Sequence, residues 1–475
     1  MSTTTVRDHL DNPLAPAGHD QVEAYRLALT LFHGYYGDPL AAIQPALAGD
    51  RPFAMGHCLA AALLLSATDR SLYALAGEQL AAAAAAGGGP REQAHLRALT
   101  AWRDGDWTLA LQHYDRLLAQ WPRDGLALQM GHLGDFFTGR ASELRDRPAA
   151  ALPHWPADLP GRGFVLGMHA FGLEECGQYD RARDQGLAAL DLDRRDPWAI
   201  HAVAHVHEMR GDVVAGIDWL LSRQDDWSID NGFAYHNWWH LALYWLEIGE
   251  HAQVLALYDN AIRPADSDVV LELIDATAML WRLHLRGVDV GARWQPLLAR
   301  WRARLDDRLY VFNDLHALLA LVATGQLDEA GRLVDALEVD AVGDDSRARM
   351  ARLAGLPLAR GLVAFARGRH DEALPLLLHG HAVASRIGGS HAQRDLFALT
   401  ALACAGRGTA RTLEEQLLVE RRDRKPNSPL VWSAIADWRR RGGDATGAAL
   451  ARDQADQARR ELLRMTARRP VPVAA

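Results

Sequence analysis

Two short stretches carry the residue types most capable of chemistry. Ile200 to Glu208 reads Ile-His-Ala-Val-Ala-His-Val-His-Glu, and His236 to His240 reads His-Asn-Trp-Trp-His. Each lies in an apolar run with helical spacing and holds two histidines four residues apart, which places both imidazoles on one side of a helix. His201, His205 and Glu208 stand at i, i+4 and i+7, a one-face set that would suit a divalent metal ion. The pattern lacks His-Glu-x-x-His, since Glu208 follows His207. Without a metal, an imidazole near neutrality is a general base. His205 and His240, with His201 beside them, are the candidates for that role, oriented by Asp135, Glu174 or Asp314.

Other polar groups recur where a packed helix should be apolar. His132 and Asp135 lie in Met130–Asp135, His169 and Glu174 in Gly167–Glu175, Asn313 and His316 in Phe312–His316, and His391, Arg394 and Asp395 in Gly388–Asp395. With His236, Asn237 and Trp239 they form a candidate ligand-binding set. Arg394, close behind Gly388-Gly389-Ser390 at an expected helix start, is the natural anion contact, because helix N-terminal amides and a guanidinium both favour negative charge. Trp238, Trp239, Phe171 and Tyr235 would supply apolar walls, or pack between repeats. Ser390, His391 and Asp395 contain the residue types of a hydrolytic triad, but neighbours on one helix do not reach triad geometry. The bland alternative is that each histidine is buried, neutral and satisfied by a neighbouring carbonyl or carboxylate.

Repeats would position these groups. Gly105-Asp106-Trp107-Thr108-Leu109-Ala110-Leu111-Gln112-His113-Tyr114, closing at Pro122, resembles the second half of a tetratricopeptide repeat. Turn glycines succeed it at Gly139, Gly177, Gly211, Gly249, Gly287, Gly325, Gly368, Gly406 and Gly443, at intervals of 34 to 43 residues, the length of a helical hairpin with its loops. Alanine recurs five residues after several of them, at Ala182, Ala330, Ala373 and Ala448. The expected fold is all-α: a right-handed α-solenoid of about ten to twelve antiparallel helical hairpins, whose first helices line a concave side. Residues 1–19 are expected to form an N-terminal arm, 20–463 the solenoid and 464–475 a C-terminal tail. Early helices are expected near 20–33, 39–47, 54–67 and 71–86, with longer connections at 145–162 and 339–346.

Composition narrows the function classes. The 475 residues carry a net charge of −9. From Ala405 onward 15 basic residues stand against 9 acidic ones, which leaves about −15 for the rest. That excess is modest and has no interleaved aromatic platform, so a nucleic-acid partner is not expected. Lys425 is the only lysine. Phosphate-loop and dinucleotide fingerprints are absent. Cys58, Cys176 and Cys404 are odd in number and widely spaced, which reads as free thiols in a reducing compartment. With no secretory leader pattern and no apolar run long enough to cross a bilayer, the expectation is a soluble, cytoplasmic chain without a membrane partner.

Four segments, Gly-Met-His-Ala-Phe-Gly-Leu-Glu-Glu at 167–175, Asp-Pro-Trp-Ala-Ile-His-Ala-Val-Ala-His-Val at 196–206, His-Asn-Trp-Trp-His-Leu-Ala-Leu-Tyr at 236–244 and Gly-Gly-Ser-His-Ala-Gln-Arg-Asp at 388–395, together resemble the tetratricopeptide repeat protein 38 family. The resemblance spans nearly the whole chain. It implies an α-solenoid and brings neither an activity nor catalytic residues to transfer.

The residues leave two functional expectations. One is an enclosed pocket, lined by His, Asp, Glu and Arg, that takes a small polar or anionic molecule or a peptide end, with general acid/base or hydrolytic chemistry and a divalent metal as the one cofactor the pattern would admit. The other is a non-catalytic scaffold for protein–protein interaction, or a homo-oligomer. Lysine and arginine usually make the peptide-carboxylate clamps of such arrays, and histidine stands in their place here.

Overall fold

The computed structural model describes residues 6–15 and 17–466. Among them the architecture is all-helical, and the extended pairings are two isolated bridges, Arg7 with Pro13 and Tyr36 with Asn231. Antiparallel helices succeed one another as stacked hairpins, the tetratricopeptide-like solenoid expected from the glycine spacing.

Seven first helices of these hairpins build the interior: α1 (Gly125–Phe137), α2 (Arg162–Glu175), α3 (Pro197–Arg210), α4 (Ala234–Ile248), α5 (Val270–Leu285), α6 (Val311–Ala323) and α7 (His391–Arg407). The first six are buried almost all round. Of the 14 residues of α3, 11 are buried, whereas the outer helix Tyr179–Leu192 buries only Ala182, Gly186 and Ala189. A helix without a solvent face has nowhere to place a polar side chain except against another polar group. The histidines of α3 and α4 are therefore forced to find partners inside the protein.

Local signals set the ends of α3. Asp196 accepts from the amides of Trp198 and Ala199, Pro197 occupies the first turn, and Gly211 closes the helix in the left-handed conformation. The other expected turn glycines, Gly105, Gly139, Gly177, Gly249, Gly287, Gly325, Gly368 and Gly443, likewise have φ between 65° and 89°. Gly406 does not belong with them, because α7 runs on to Arg407 and Gly408 ends it. The connection expected over 145–162 is also shorter, since Ala141–Ala151 is helical despite Pro148 and a 3-10 turn covers Leu152–His154.

The N-terminal arm is not a loose extension. Leu10 and Leu14 are buried in the main core, and Asp8 meets Arg91 at 3.0 Å with both side chains excluded from solvent. At the other end the last helix reaches Thr466, past the expected boundary at 463, and the rest of the expected tail lies outside the described residues.

Distant turns of the solenoid touch. Asn313 donates to the carbonyl of Thr68 at 3.0 Å, Asn231 to that of Gly34 at 3.1 Å, and Thr108 N to Ser346 Oγ at 2.9 Å. A Cβ on Gly139 would lie 1.5 Å from the carbonyl oxygen of Ser385, so the backbones of residues 246 positions apart are in contact there. Helix α7 is drawn inward by the same closure: Arg282 of α5 donates to the carbonyl of Ala392 at 2.6 Å, and His391 N donates to Glu175 Oε1 at 2.7 Å.

Candidate metal centre

Helices α3 and α4 lie side by side, and their histidine pairs face each other. The ring centroids of His201 and His236 are 4.9 Å apart, those of His201 and His240 5.0 Å, and those of His205 and His240 4.4 Å. One ring nitrogen from each of the four histidines falls within 4.8 Å of all the others, and all four side chains are buried. The approach is held by Tyr244 of α4, whose hydroxyl donates to the carbonyl of Ala204 at 2.6 Å. Gly216 makes room for that ring, since a Cβ there would sit 2.2 Å from Tyr244 Cζ.

Behind the imidazoles stand carboxylates from three different helices. Glu208 Oε2 of α3 is 2.9 Å from His240 Nδ1, Asp275 Oδ2 of α5 is 2.5 Å from His236 Nδ1, and Glu174 Oε2 of α2 is 3.3 Å from His205 Nδ1, though out of line for a hydrogen bond. Each of these three rings thus turns Nε2 toward the centre of the cluster. His236 Nε2 meets His201 Nε2 at 3.1 Å, while the Nε2 atoms of His205 and His240 are buried without a hydrogen-bond partner. His201 differs from the others, because its Nδ1 has no carboxylate behind it.

Electrostatics keeps three of these rings, His201, His205 and His240, neutral. Burial and then the neighbouring imidazoles push His201 and His240 well below the ordinary imidazole value, and burial pushes His205 down to about 4. Glu174 moves the other way: burial, reinforced by the charge of Glu175, raises its carboxyl well above the usual carboxylate range. The Glu174–His205 contact is close enough for an ion pair, yet both shifts favour the uncharged forms, and a neutral pair is the better description. Burial also raises Glu208. Glu175 is held below its ordinary value despite burial, by Arg394 and His391.

Two of the four histidines, His201 and His236, line a cavity of about 280 Å³, together with Asp275, Gln393 and Ser390. The walls come from sequence-distant parts of the solenoid: Phe32 from the helix His19–Gly34 and Tyr35, which caps it, Phe136 and Phe137 from α1, Phe171 from α2, Trp198 from α3, Phe233 and Tyr235 at the start of α4, and Leu271 and Ile274 from α5. Trp238 stands elsewhere, with its ring 4.7 Å from that of Trp227.

Several residues singled out from the sequence are engaged elsewhere. Glu208 is not a ligand alongside His201 and His205, because its carboxylate is turned to His240 on the next helix. Asp135 orients no histidine; Arg147 holds both its oxygens at 2.7 and 3.1 Å. Burial raises the Asp135 carboxyl to about 6 in spite of that partner. Arg394 is not poised for an anion, being bound to Glu175 Oε2 at 3.0 Å and to the carbonyl of Gly389. Asp395 is paired with Arg421 at 2.7 and 3.0 Å.

The outlying histidines and asparagines are likewise separate from the cluster. His316 Nδ1 donates to the carbonyl of Phe312, Asn313 serves the closure to Thr68, and His391 Nε2 lies 3.0 Å from the carbonyl oxygen of Glu175. His132 sits against Phe171 and Trp198 in a small separate hollow shared with His33 and Gln129. His169 has Gln185, Arg181 and Arg145 around it. Trp239 supports the cluster from outside, stacked on His236 at 5.4 Å, and both polar atoms of the buried Asn237 side chain lack hydrogen-bond partners.

Asp275 and Gln393 escape a reading by sequence. Asp275 is legible in hindsight as an acid set between Ile274 and Ala276 in the apolar run Val-Leu-Glu-Leu-Ile-Asp-Ala-Thr-Ala-Met at 270–279, the same anomaly that marks Asp135. Gln393 has no such signal, because it doubles as the capping-box residue of α7.

No family model matches the chain. Among solved structures it is similar to a human IFIT1 dimer with PPP-AAAA (10% identity, TM-score 0.41, covering 93% of this chain and 95% of that one). It is also similar to yeast Tom70 (13%, 0.36, 94% and 96%) and to the P58(IPK) TPR domain (12%, 0.22, 80% and 98%). No helix among the described residues is long and apolar enough to cross a membrane.

Proposed function

We propose that this chain is a helical-repeat metalloprotein in which His205, His236 and His240 hold a divalent transition-metal ion through Nε2, with His201 facing the substrate side. The observation that carries the reading is the pair of carboxylates hydrogen-bonded behind two of the ligand rings, Glu208 on His240 at 2.9 Å and Asp275 on His236 at 2.5 Å; behind His205, Glu174 stands at 3.3 Å without a hydrogen bond. A carboxylate on Nδ1 fixes the tautomer, aims Nε2 and raises its basicity, the outer-shell arrangement that metal-ligating histidines almost always have. The Nε2 atoms of His205 and His240 are buried and unpartnered, at a cost of about 1 to 3 kcal/mol each that a bound ion would relieve.

All-imidazole donors suit Zn²⁺, Fe²⁺, Cu²⁺ or Ni²⁺ over Mg²⁺ or Ca²⁺. Such an ion supplies Lewis acidity, toward a carbonyl oxygen or a bound water. The chain's own contribution is placement: Tyr244 ties the two ligand helices together, Glu208 and Asp275 orient the rings of His240 and His236, and aromatic side chains line the approach. All four segments that resemble the tetratricopeptide repeat protein 38 family contribute to this centre, and membership in that family is part of the proposal.

The competing reading, a scaffold gripping an extended peptide on its concave side, is less well supported. Helix α7 fills that side, with Gln393 reaching Asp275 at 3.3 Å and His391 reaching Glu175.

Metal analysis of the purified protein tests the proposal. Close to one equivalent of a transition metal is expected, lost in His205→Ala, His236→Ala and His240→Ala and retained in His201→Ala. Wild-type protein that stays metal-free after incubation with Zn²⁺, Fe²⁺, Cu²⁺ and Ni²⁺, while folded by circular dichroism, would sink it.

A further inference from the structure

Resting on the metal reading, we infer that the molecule received at this centre has an apolar, aromatic or branched-aliphatic body and a single oxygen-donor head of the carbonyl type, and is not a phosphate, polyanion or sugar. The cavity that ends on His201 and His236 is otherwise walled by Phe32, Tyr35, Phe171, Trp198, Phe233 and Ile274. Among its described lining residues there is no arginine or lysine, and the only acid is Asp275, which is turned to His236. A multiply charged ligand would give up its hydration with nothing but the ion to replace it, at a large penalty.

The polar side chains tied to the imidazoles are Asp275, which meets His236, and Gln393, which donates to Asp275 at 3.3 Å, whereas the hydroxyl of Ser66, also in the lining, is taken by the carbonyl of Leu63. That layout fixes orientation: head toward the imidazoles, body against the rings. The volume, about 280 Å³, is close to twice the roughly 150 Å³ that accepts a benzene molecule, which leaves room for a bicyclic ring system or a ring with a short chain. Arg394 and Asp395 do not change this, since both are spent on ion pairs with Glu175 and Arg421.

The test uses the full chain loaded with Co²⁺, whose visible spectrum responds to a new ligand, and three probes: benzohydroxamate, acetohydroxamate and inorganic phosphate. Burial of the phenyl ring is expected to make benzohydroxamate bind roughly 30- to 100-fold more tightly than acetohydroxamate, with phosphate weakest. Leu271→Trp, at the cavity wall and away from the ligand rings, is expected to erase that preference at unchanged cobalt content. Ala67→Phe provides the same check if the first variant folds poorly. Equal affinity for the two hydroxamates, or a preference for phosphate, overturns the inference and leaves the metal reading standing. Failure to take up cobalt brings down the metal reading, and this inference with it.

Discussion

Glu208 and His240 sit on neighbouring inner helices and meet at 2.9 Å between Oε2 and Nδ1, with the carboxylate nine-tenths buried and the imidazole wholly so. In sequence Glu208 shares a face with His201 and His205, yet it serves the histidine of the next repeat. Glu208→Gln is therefore expected to weaken metal binding by roughly 10- to 100-fold while leaving the melting temperature of the metal-free protein within a degree or two of wild type. Competition against a chromophoric chelator measures the first and a thermal melt the second. Unchanged metal affinity would mean that Glu208 does not orient a ligand ring.

Gly216 offers a separate handle on the approach of α3 and α4. An alanine there would place its Cβ 2.2 Å from the buried Tyr244 ring, which cannot swing into solvent. Gly216→Ala should destabilise by about 1 to 3 kcal/mol and lower metal affinity as well, because Tyr244 ties the two ligand helices together. Tyr244→Phe keeps the ring but loses the bond to Ala204, and is expected to cost about 1 kcal/mol. Denaturant titrations of both variants provide the comparison.

Asp124 anchors the N-terminal arm. It accepts from Arg91 Nε at 2.6 Å and His95 Nε2 at 2.8 Å, and caps Ala127 at 2.9 Å. Burial opposes its ionisation, but Arg91 and then His95 hold the carboxyl far below the usual range. Because the folded value lies below the unfolded one, the stabilisation is complete above the unfolded value near 4 and is lost as pH falls below it. Asp124→Asn should cost about 3 kcal/mol at neutral pH, and the gap to wild type should shrink progressively below pH 4. A constant gap across the acid limb would show that the Asp124 charge contributes nothing to the anchor.

Asp314 predicts the opposite slope. Its Oδ2 is buried without a partner, and burial raises the carboxyl to about 7. A folded value above the unfolded one means that the native state holds a proton the unfolded chain releases, so stability falls as pH rises from about 4 through 7. Asp314→Asn abolishes that titration and should gain on wild type progressively between pH 4 and 7 in thermal melts, with the difference constant above that. No relative gain over that interval would mean that Asp314 is ionised in the folded protein.

The repeat architecture was legible because each hairpin obeys local rules: a turn glycine such as Gly177, an alanine such as Ala182 five residues on, and apolar stripes between. Gly406 shows where that ladder misleads, since its spacing fits but α7 continues through it. The facing of His201 and His205 against His236 and His240 was readable from two i, i+4 pairs one repeat apart. What the spacing could not reveal is which partner each polar group takes. Glu175 and Arg394 are 219 residues apart, and Asn313 and Thr68 are 245 apart. Periodicity carries no information on such contacts, so Arg394 read as available when it is already bound.

Most stacked-hairpin arrays behave as one-dimensional chains, in which each unit touches only its neighbours and ends can fray or be trimmed. The hydrogen bonds from Asn313 to Thr68, from Asn231 to Gly34 and from Thr108 to Ser346 make this molecule a loop in energetic terms. Deleting the first two hairpins would strip Phe32 and Tyr35 from the chamber and leave Asn231 and Asn313 without acceptors. The chamber in front of the imidazoles can then close only after chain segments hundreds of residues apart have come together, so it is assembled last and vanishes first when the ring opens.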